Sequence, residues 1–233
     1  MLDRAAVART IAAVKAQGLD FVMEPEAREI LLAYGIPVAA GRFCTTPGEA
    51  AAAAREVGYP VALKVVSPQV LHKTEMGGVK LSLASDEAVR EAHAAIMAAV
   101  GTRVQKEAIR GVMVERMARG HEVIIGASRD PQFGPVMMFG LGGVFVEILK
   151  DVSYRLAPLN PWEAREMVRE VKAYPMLAGA RGGRPVDEEA LADVLVRVSY
   201  LVDGFREIRE LDLNPAFVDG AEVAVADARI IID

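Results

Sequence analysis

Two observations predict an α+β fold built on antiparallel sheet. Helical and strand-like segments are mixed along the 233 residues, and the second half holds strand runs joined by short, hairpin-like turns. A doubly wound parallel sheet would alternate the two kinds of element, and this chain does not.

The elements follow from local chemistry. Leu2 to Gln17 is alanine-rich with apolar residues at helical spacing, and Gly18 ends it. Pro25 starts a second helix that carries Ala27, Ile30, Leu31 and Tyr34 on one face, with Gly35 as its stop. Val38 to Cys44 reads as a strand. Thr46-Pro47 supplies a cap and a first-turn proline for a helix to Val57. After Gly58-Tyr59-Pro60 comes the apolar strand Val61 to Val66, then a polar loop from Ser67 to Gly78 and a strand from Val79 to Leu83. Ser85-Asp86 caps a helix through Val100. Val112 to Met138 is strand-like, with turns at Ala118–Gly120 and Arg129–Phe133. Pro161 and Asp187 begin two more helices, and Ile208 to Ile232 returns to strands through Val218-Asp219-Gly220.

Composition narrows the function classes. The chain is 52% hydrophobic and 25% charged, which is globular and far from the disordered regime. A net charge of -5 gives no basic footprint for nucleic acid. Cys44 is the only cysteine, so an intrachain disulfide and a cysteine metal cluster are excluded, and its apolar surroundings predict a buried, inert thiol. Asp3, Arg4 and Arg9 interrupt the opening residues, so no signal peptide is expected. The longest uncharged apolar run, Phe133 to Val146, is studded with glycines and closed by Glu147; it is too short for a membrane span.

The familiar phosphate and catalytic signatures are missing. There is no G-x-x-x-x-G-K-[ST] loop, and Gly140, Gly142 and Gly143 do not make a dinucleotide fingerprint. His72, His93 and His121 lack zinc spacing, and no G-x-S-x-G elbow occurs. His93, mid-helix among alanines, reads as surface or packing.

Four pieces carry possible chemistry. Lys64 interrupts the strand Val61–Val66. A cation there is costly without a partner, so it is either a strand-edge lysine reaching water or a fixed charge for nucleotide phosphates. The loop Leu71-His72-Lys73-Thr74-Glu75-Met76-Gly77-Gly78 holds a histidine in a polar setting. Its glycine pair would let backbone N–H groups point outward at an anion, and His72 is either solvated surface or a functional ring. Glu115 and Glu122 flank a turn between apolar strands, as the charged ends of a hairpin or as a clamp on adenine and ribose. Strand alternation puts Asp212 and Asn214 on one face, with Asp227 on the last strand. They are a polar face in water or a sparse oxygen set suited to magnesium.

Together these pieces resemble the ATP-grasp fold, and specifically the nucleotide-binding beta subunit of ADP-forming acetyl-CoA synthetases; succinyl-CoA synthetase beta subunits are a more distant likeness. The resemblance runs from Ala33-Tyr34-Gly35-Ile36-Pro37 to Asp227, and is most specific over Leu63–Gly78, Phe133–Arg155 and Leu211–Pro215. It implies one ATP-grasp domain over residues 1–233, with an N-terminal lobe of about 1–110, a C-terminal lobe of about 111–233, and antiparallel sheets clamping the nucleotide. It also implies roles. Lys64 would contact phosphates with the Gly77-Gly78 loop, and Glu115 and Glu122 would lie at the hinge and ribose positions. Asn214 and Asp227 would hold Mg²⁺. His72 would be the phosphohistidine, with Asp212 its carboxylate partner. The nucleotide substrate would be ATP or ADP. A separate CoA-binding alpha subunit would form an α2β2 heterotetramer with this chain in the cytoplasm. Gly179–Arg184 and Asp151–Arg155 would be candidates to face it, ordinary charged surface loops being the alternative. Two competing functions are a self-contained ATP-grasp carboxylate ligase, which has no need of His72, and a catalytically silent nucleotide-binding module.

Overall fold

A computed structural model describes residues 2–70, 72–143, 146, 148–182 and 184–233, and the backbone alone of Arg181. The expectations that rest on Leu71, Glu147, Gly183 and the Arg181 side chain therefore lie outside the described residues. The chain forms two compact units, each discontinuous in sequence. The smaller comprises Met23–Pro25 and Ala39–Met117; the larger comprises the chain up to Val22, Glu26–Val38 and Ala118–Asp233. A single division near residue 110 does not describe this arrangement, because Gly111–Arg116 pairs within the sheet of the smaller unit.

The larger unit contains α1 (Arg4–Ala16), β1 (Phe21–Val22) and all of α2 (Glu24–Ala33) except its first two residues. The smaller unit is built on a four-stranded sheet in the order β2-β5-β3-β4: β2 (Gly41–Cys44), β3 (Val61–Val66), β4 (Val79–Leu83) and β5 (Gly111–Arg116). Every pairing in it is antiparallel. Helices α3 (Pro47–Val57) and α4 (Asp86–Gly101) bury Ala50, Ala53, Val89 and Ile96 against Val61, Leu63 and Val114. Helix α3 starts where its caps demand: Thr46 accepts from the Glu49 N–H, and Glu49 returns a bond to the Thr46 N–H. His93 is buried on α4 and takes the packing role. Cys44 is buried as expected, and burial pushes its thiol pKa up, toward the unreactive thiol form.

The larger unit continues with β6 (His121–Asp130), β7 (Gly134–Leu141), β8 (Val152–Leu156), helices α5 (Pro161–Glu170), α6 (Tyr174–Leu177) and α7 (Glu188–Gly204), then β9 (Ile208–Asp219), β10 (Glu222–Val225) and β11 (Ala228–Ile232). Its seven-stranded sheet runs β1-β11-β9-β6-β7-β8, with β10 also on β9. Ile125, Phe139, Leu211 and Leu213 on the strands meet Ile30, Tyr34, Leu195 and Leu201 from the helices, all buried. Each such side chain contributes about 1.5–3 kcal/mol by leaving water. No helix among the described residues is long and apolar enough to cross a membrane.

One strand is shorter than its sequence predicts. Residues 41–44 join β5, whereas Val38 forms an isolated parallel bridge to Val225, and the Pro37 carbonyl accepts from the Val225 N–H at 3.0 Å. The chain leaves the larger unit after Val38, so one ladder cannot span the whole apolar run.

Candidate functional site

In the smaller unit the key residue is Lys64. Strand β3 lies between β5 and β4, so Lys64 is not on an edge, and the reading of it as a water-reaching edge lysine fails. It is only 7% exposed. Its cross-strand partner on β5 is Met113, and Glu115 sits opposite Ala62. Lys64 and Glu115 are therefore diagonal neighbours on one sheet face. The Lys64 ammonium donates to Glu115 Oε2 at 2.6 Å and to Glu24 Oε1 at 3.1 Å. Glu24 opens helix α2, where the positive end of the helix dipole favours a carboxylate. Its second oxygen accepts from the Lys73 ammonium. Glu115, Lys64, Glu24 and Lys73 thus form a chain of alternating charge, buried except at the half-buried Lys73. Burial alone would raise the Glu24 carboxyl pKa, but the Lys64 and Lys73 charges outweigh it and hold the value below normal.

Lys73 belongs to the loop after β3, next to His72, which is exposed. The loop closes on itself: the Gly78 N–H donates to the Lys73 carbonyl at 2.8 Å and the Gly77 N–H to the Thr74 carbonyl at 3.0 Å. These amides are engaged inside the loop, which corrects the expectation that they point outward at an anion. The glycines serve shape instead. Gly77 has a φ of +71°, and a Cβ on Gly78 would lie 2.5 Å from Val65 Cγ1 and 3.0 Å from the Lys73 carbonyl.

In the larger unit, β9 changes neighbour partway. Its first half pairs β11 and its second half pairs β10, with β6 on the other side throughout. The change falls at Asn214-Pro215, where proline has no N–H to extend the ladder. Asn214 donates its N–H to the Asp227 carbonyl at 3.1 Å, and the Pro215 carbonyl accepts from Ala226 at 2.9 Å. This ties the β10–β11 connection to β9 and brings Asn214 and Asp227 together. Asp212 is flanked by Gly126 on β6 and Arg229 on β11. Burial pushes its carboxyl pKa up, Glu210 and Asp227 add to the rise, and Arg229 opposes it.

The residues expected to hold magnesium are an amide and a carboxylate, and Asp227 Oδ1 also accepts the Ala228 N–H at 3.1 Å. Among the described residues no group of three or more His, Cys, Asp or Glu side chains could hold a metal ion. Asn214 and Asp227 supply hard oxygen in a sparse pair, which suits an ion that keeps several waters and shares phosphates. Glu122, at the start of β6, is exposed, and its carbonyl accepts from the Gly142 N–H at 2.8 Å. A Cβ on Gly142 would come within 2.6 Å of Glu122 Cγ, so this glycine makes room for the glutamate side chain.

The structure joins some of the predicted residues and not others. Lys64 and Glu115 meet in the smaller unit; in the larger, Asp212 and Asn214 lie on β9, whereas Asp227 falls in the β10–β11 connection, one residue before the last strand on which it was expected. His72 belongs to the smaller unit and Asp212 to the larger. Of the segment Asp151–Arg155, Asp151 is turned inward: its carboxylate accepts from the Lys172 and Ala173 N–H groups at 2.8 and 2.7 Å, a structural role. Arg155 pairs with Glu170, and Arg184 lies 3.6 Å from Asp219 on the surface. Sequence reasoning missed Glu24, Lys73 and Arg229. Glu24 looks like an ordinary first-turn carboxylate, and only its position before Pro25 hinted at a helix start.

Residues 13–232 match the family model described as the ATP-grasp domain. The chain is 50% identical over 233 residues to the beta subunit of ADP-forming acetate–CoA ligase I of Pyrococcus furiosus, covering 99% of this chain and 100% of that one. It also matches solved acetyl-coenzyme A synthetase 1 of Candidatus Korarchaeum cryptofilum. In complex with coenzyme A, Ca-AMPCP and HgCl+, that protein gives a TM-score of 0.92 at 46% identity, over 97% of this chain and 99% of that one. In complex with coenzyme A and Mg-AMPPCP, its phosphohistidine segment points towards the nucleotide binding site; the TM-score is 0.86 at 44% identity, over 97% and 100% of the two chains. The chain belongs to the ATP-grasp family and, within it, to the beta subunits of ADP-forming acetate–CoA ligases.

Proposed function

We propose that this subunit passes a phosphoryl group between His72 and ADP, in the reaction acyl-CoA + phosphate + ADP giving acid, CoA and ATP. The observation that carries the reading is the Lys64 cluster: a lysine held rigidly in the centre of a sheet, beside the loop that presents an exposed histidine. Phosphoryl transfer needs alignment and charge neutralisation more than covalent help from the protein. The terminal oxygen of ADP attacks phosphorus, the P–O bond forms as the P–N bond to the ring breaks, and the electron pair returns to imidazole. Asp212 partners the other ring N–H, so the ring carries its proton there and leaves neutral. Lys64 meets the nucleotide phosphates, Glu115 the hinge and Glu122 the ribose. Asn214 and Asp227 would hold Mg²⁺, which neutralises phosphate charge when bound.

The relative named as a beta subunit, and the neighbour solved with coenzyme A, support a partner alpha subunit that binds CoA; the assembly proposed is α2β2, in the cytoplasm. The acyl phosphate forms on that subunit, and a histidine there hands the group to His72. Incubation with the partner subunit, Mg²⁺ and ATP labelled on its terminal phosphate should give acid-labile, base-stable label on His72. The label should vanish in His72→Ala; undiminished label in that variant would overturn the carrier role. Full turnover in Asp227→Ala would remove Asp227 from the magnesium site.

A further inference from the structure

Glu24 holds two lysines with its two oxygens, one facing the nucleotide-binding strand and the other the His72 loop. Oε1 accepts from Lys64 on β3 at 3.1 Å, and Oε2 accepts from Lys73, the residue after His72. The glutamate is 5% exposed. The loop residues beyond Lys73 are pinned from two further directions. The Lys73 carbonyl accepts the Gly78 N–H, and the Arg103 guanidinium donates to the Glu75 carbonyl at 2.9 Å. His72 therefore stands exposed at the edge of an anchored segment, and the side chain at that edge is Lys73.

We infer that Glu24 is a positioning residue that couples nucleotide phosphates at Lys64 to the His72 loop through Lys73. The inference rests on the reading of Lys64 as a phosphate-binding residue. Its physical basis is competition for donors. The Lys64 ammonium donates to both Glu115 and Glu24, so its charge is already shared between two carboxylates. A phosphate arriving at Lys64 competes for the ammonium and draws it from Glu24. The Glu24 charge, buried and poorly screened, then falls to Lys73, and that pair tightens. The nucleotide thus firms the segment next to the phosphoryl-carrying histidine when there is a phosphate acceptor to serve. A buried ion chain is a poor device for stability alone, since well-packed apolar residues do as well or better.

The test uses the full chain with its partner subunit and follows amide hydrogen exchange of residues 73–78 with and without ADP and Mg²⁺. Wild type should show several-fold slower exchange with nucleotide. Glu24→Gln and Lys73→Met should still bind ADP, measured by calorimetry, but lose the nucleotide-dependent slowing. In both, kcat should fall with little change in KM for ADP, and Glu24→Asp should restore part of each effect. A merely structural cluster would change exchange equally with and without nucleotide. Lys73→Met keeps the stem and removes only the charge, so it carries the test should Glu24→Gln fold poorly. Wild-type slowing retained in the variants, or absent from wild type, would overturn the inference. ADP binding unaffected by Lys64→Met would instead overturn the underlying role of Lys64.

Discussion

Removing Glu115 should reveal how strongly the buried charge chain is balanced. Glu115 is 2% exposed and its carboxylate lies 2.6 Å from the Lys64 ammonium. In Glu115→Ala, Lys64 is left to Glu24, which it shares with Lys73, so two ammonium groups compete for one buried carboxylate. Breaking a buried pair by deleting one partner costs about 3–5 kcal/mol. Glu115→Gln should fall near the lower end, because its amide oxygen can still accept. For a chain of this size the loss corresponds to a melting shift of about 6–20 °C. Urea unfolding at neutral pH measures it, with amide exchange of β3 and β5 locating the effect in the smaller unit. The double variant Lys64→Met with Glu115→Leu should be less destabilised than the sum of its single changes, since it leaves Glu24 paired with Lys73. A loss under about 1 kcal/mol in Glu115→Ala, or strict additivity in the double variant, would refute the reasoning.

Three other outcomes are expected. The Glu24 carboxyl pKa lies below its ordinary 4.5 in the folded state, so its pairing adds stability above that pH and loses it as pH falls through the folded value. Acid titration of unfolding should show this limb in wild type and flatten it in Glu24→Gln. Asp212 shifts the opposite way, above its ordinary 3.8, so its ionised form costs stability at neutral pH. Asp212→Asn should therefore unfold at higher denaturant at pH 7, with the gain disappearing below 3.8, while turnover falls. Gly142→Ala should push the Glu122 side chain aside, because the new Cβ would crowd a flexible group and not backbone. Steady-state kinetics should show a raised KM for ADP with little change in melting temperature.

Much of the fold was legible because its signals are local. Thr46-Pro47, Ser85 and Asp187 start helices where capping chemistry says they should. Asn160-Pro161 does so with a reciprocal Glu163 bond. Strands β3 and β4 sit at the bounds their apolar runs predict. The short β2 was not legible, since nothing in Val38–Cys44 says that the chain passes from one unit to the other. The same limit governs the site. Lys64 stood out because a charge in an apolar strand demands a partner, but those partners lie 40 and 51 residues away. Lys73 meets Glu24 across 49 residues, and neither has a local pattern that announces the other. Asp151 misled in the other direction: a charged residue in a connecting segment reads as surface until the N–H groups it receives are seen.

The smaller unit has the outward form of a cassette. Its main segment, residues 39–117, begins and ends on adjacent strands, with Gly41 opposite Glu115 and the Arg116 N–H bonded to the Ala40 carbonyl at 2.8 Å. Such a segment invites transplantation between relatives or excision at its neighbouring ends. Its hydrophobic border and its electrostatic border do not coincide, however. The apolar core is complete within the segment, whereas the carboxylate that Lys64 and Lys73 share comes from Glu24, far upstream. A chimera that exchanges residues 39–117 alone would import two lysines without their common counter-charge. Recombination that respects the charge as well as the core must carry Met23–Pro25 along with it.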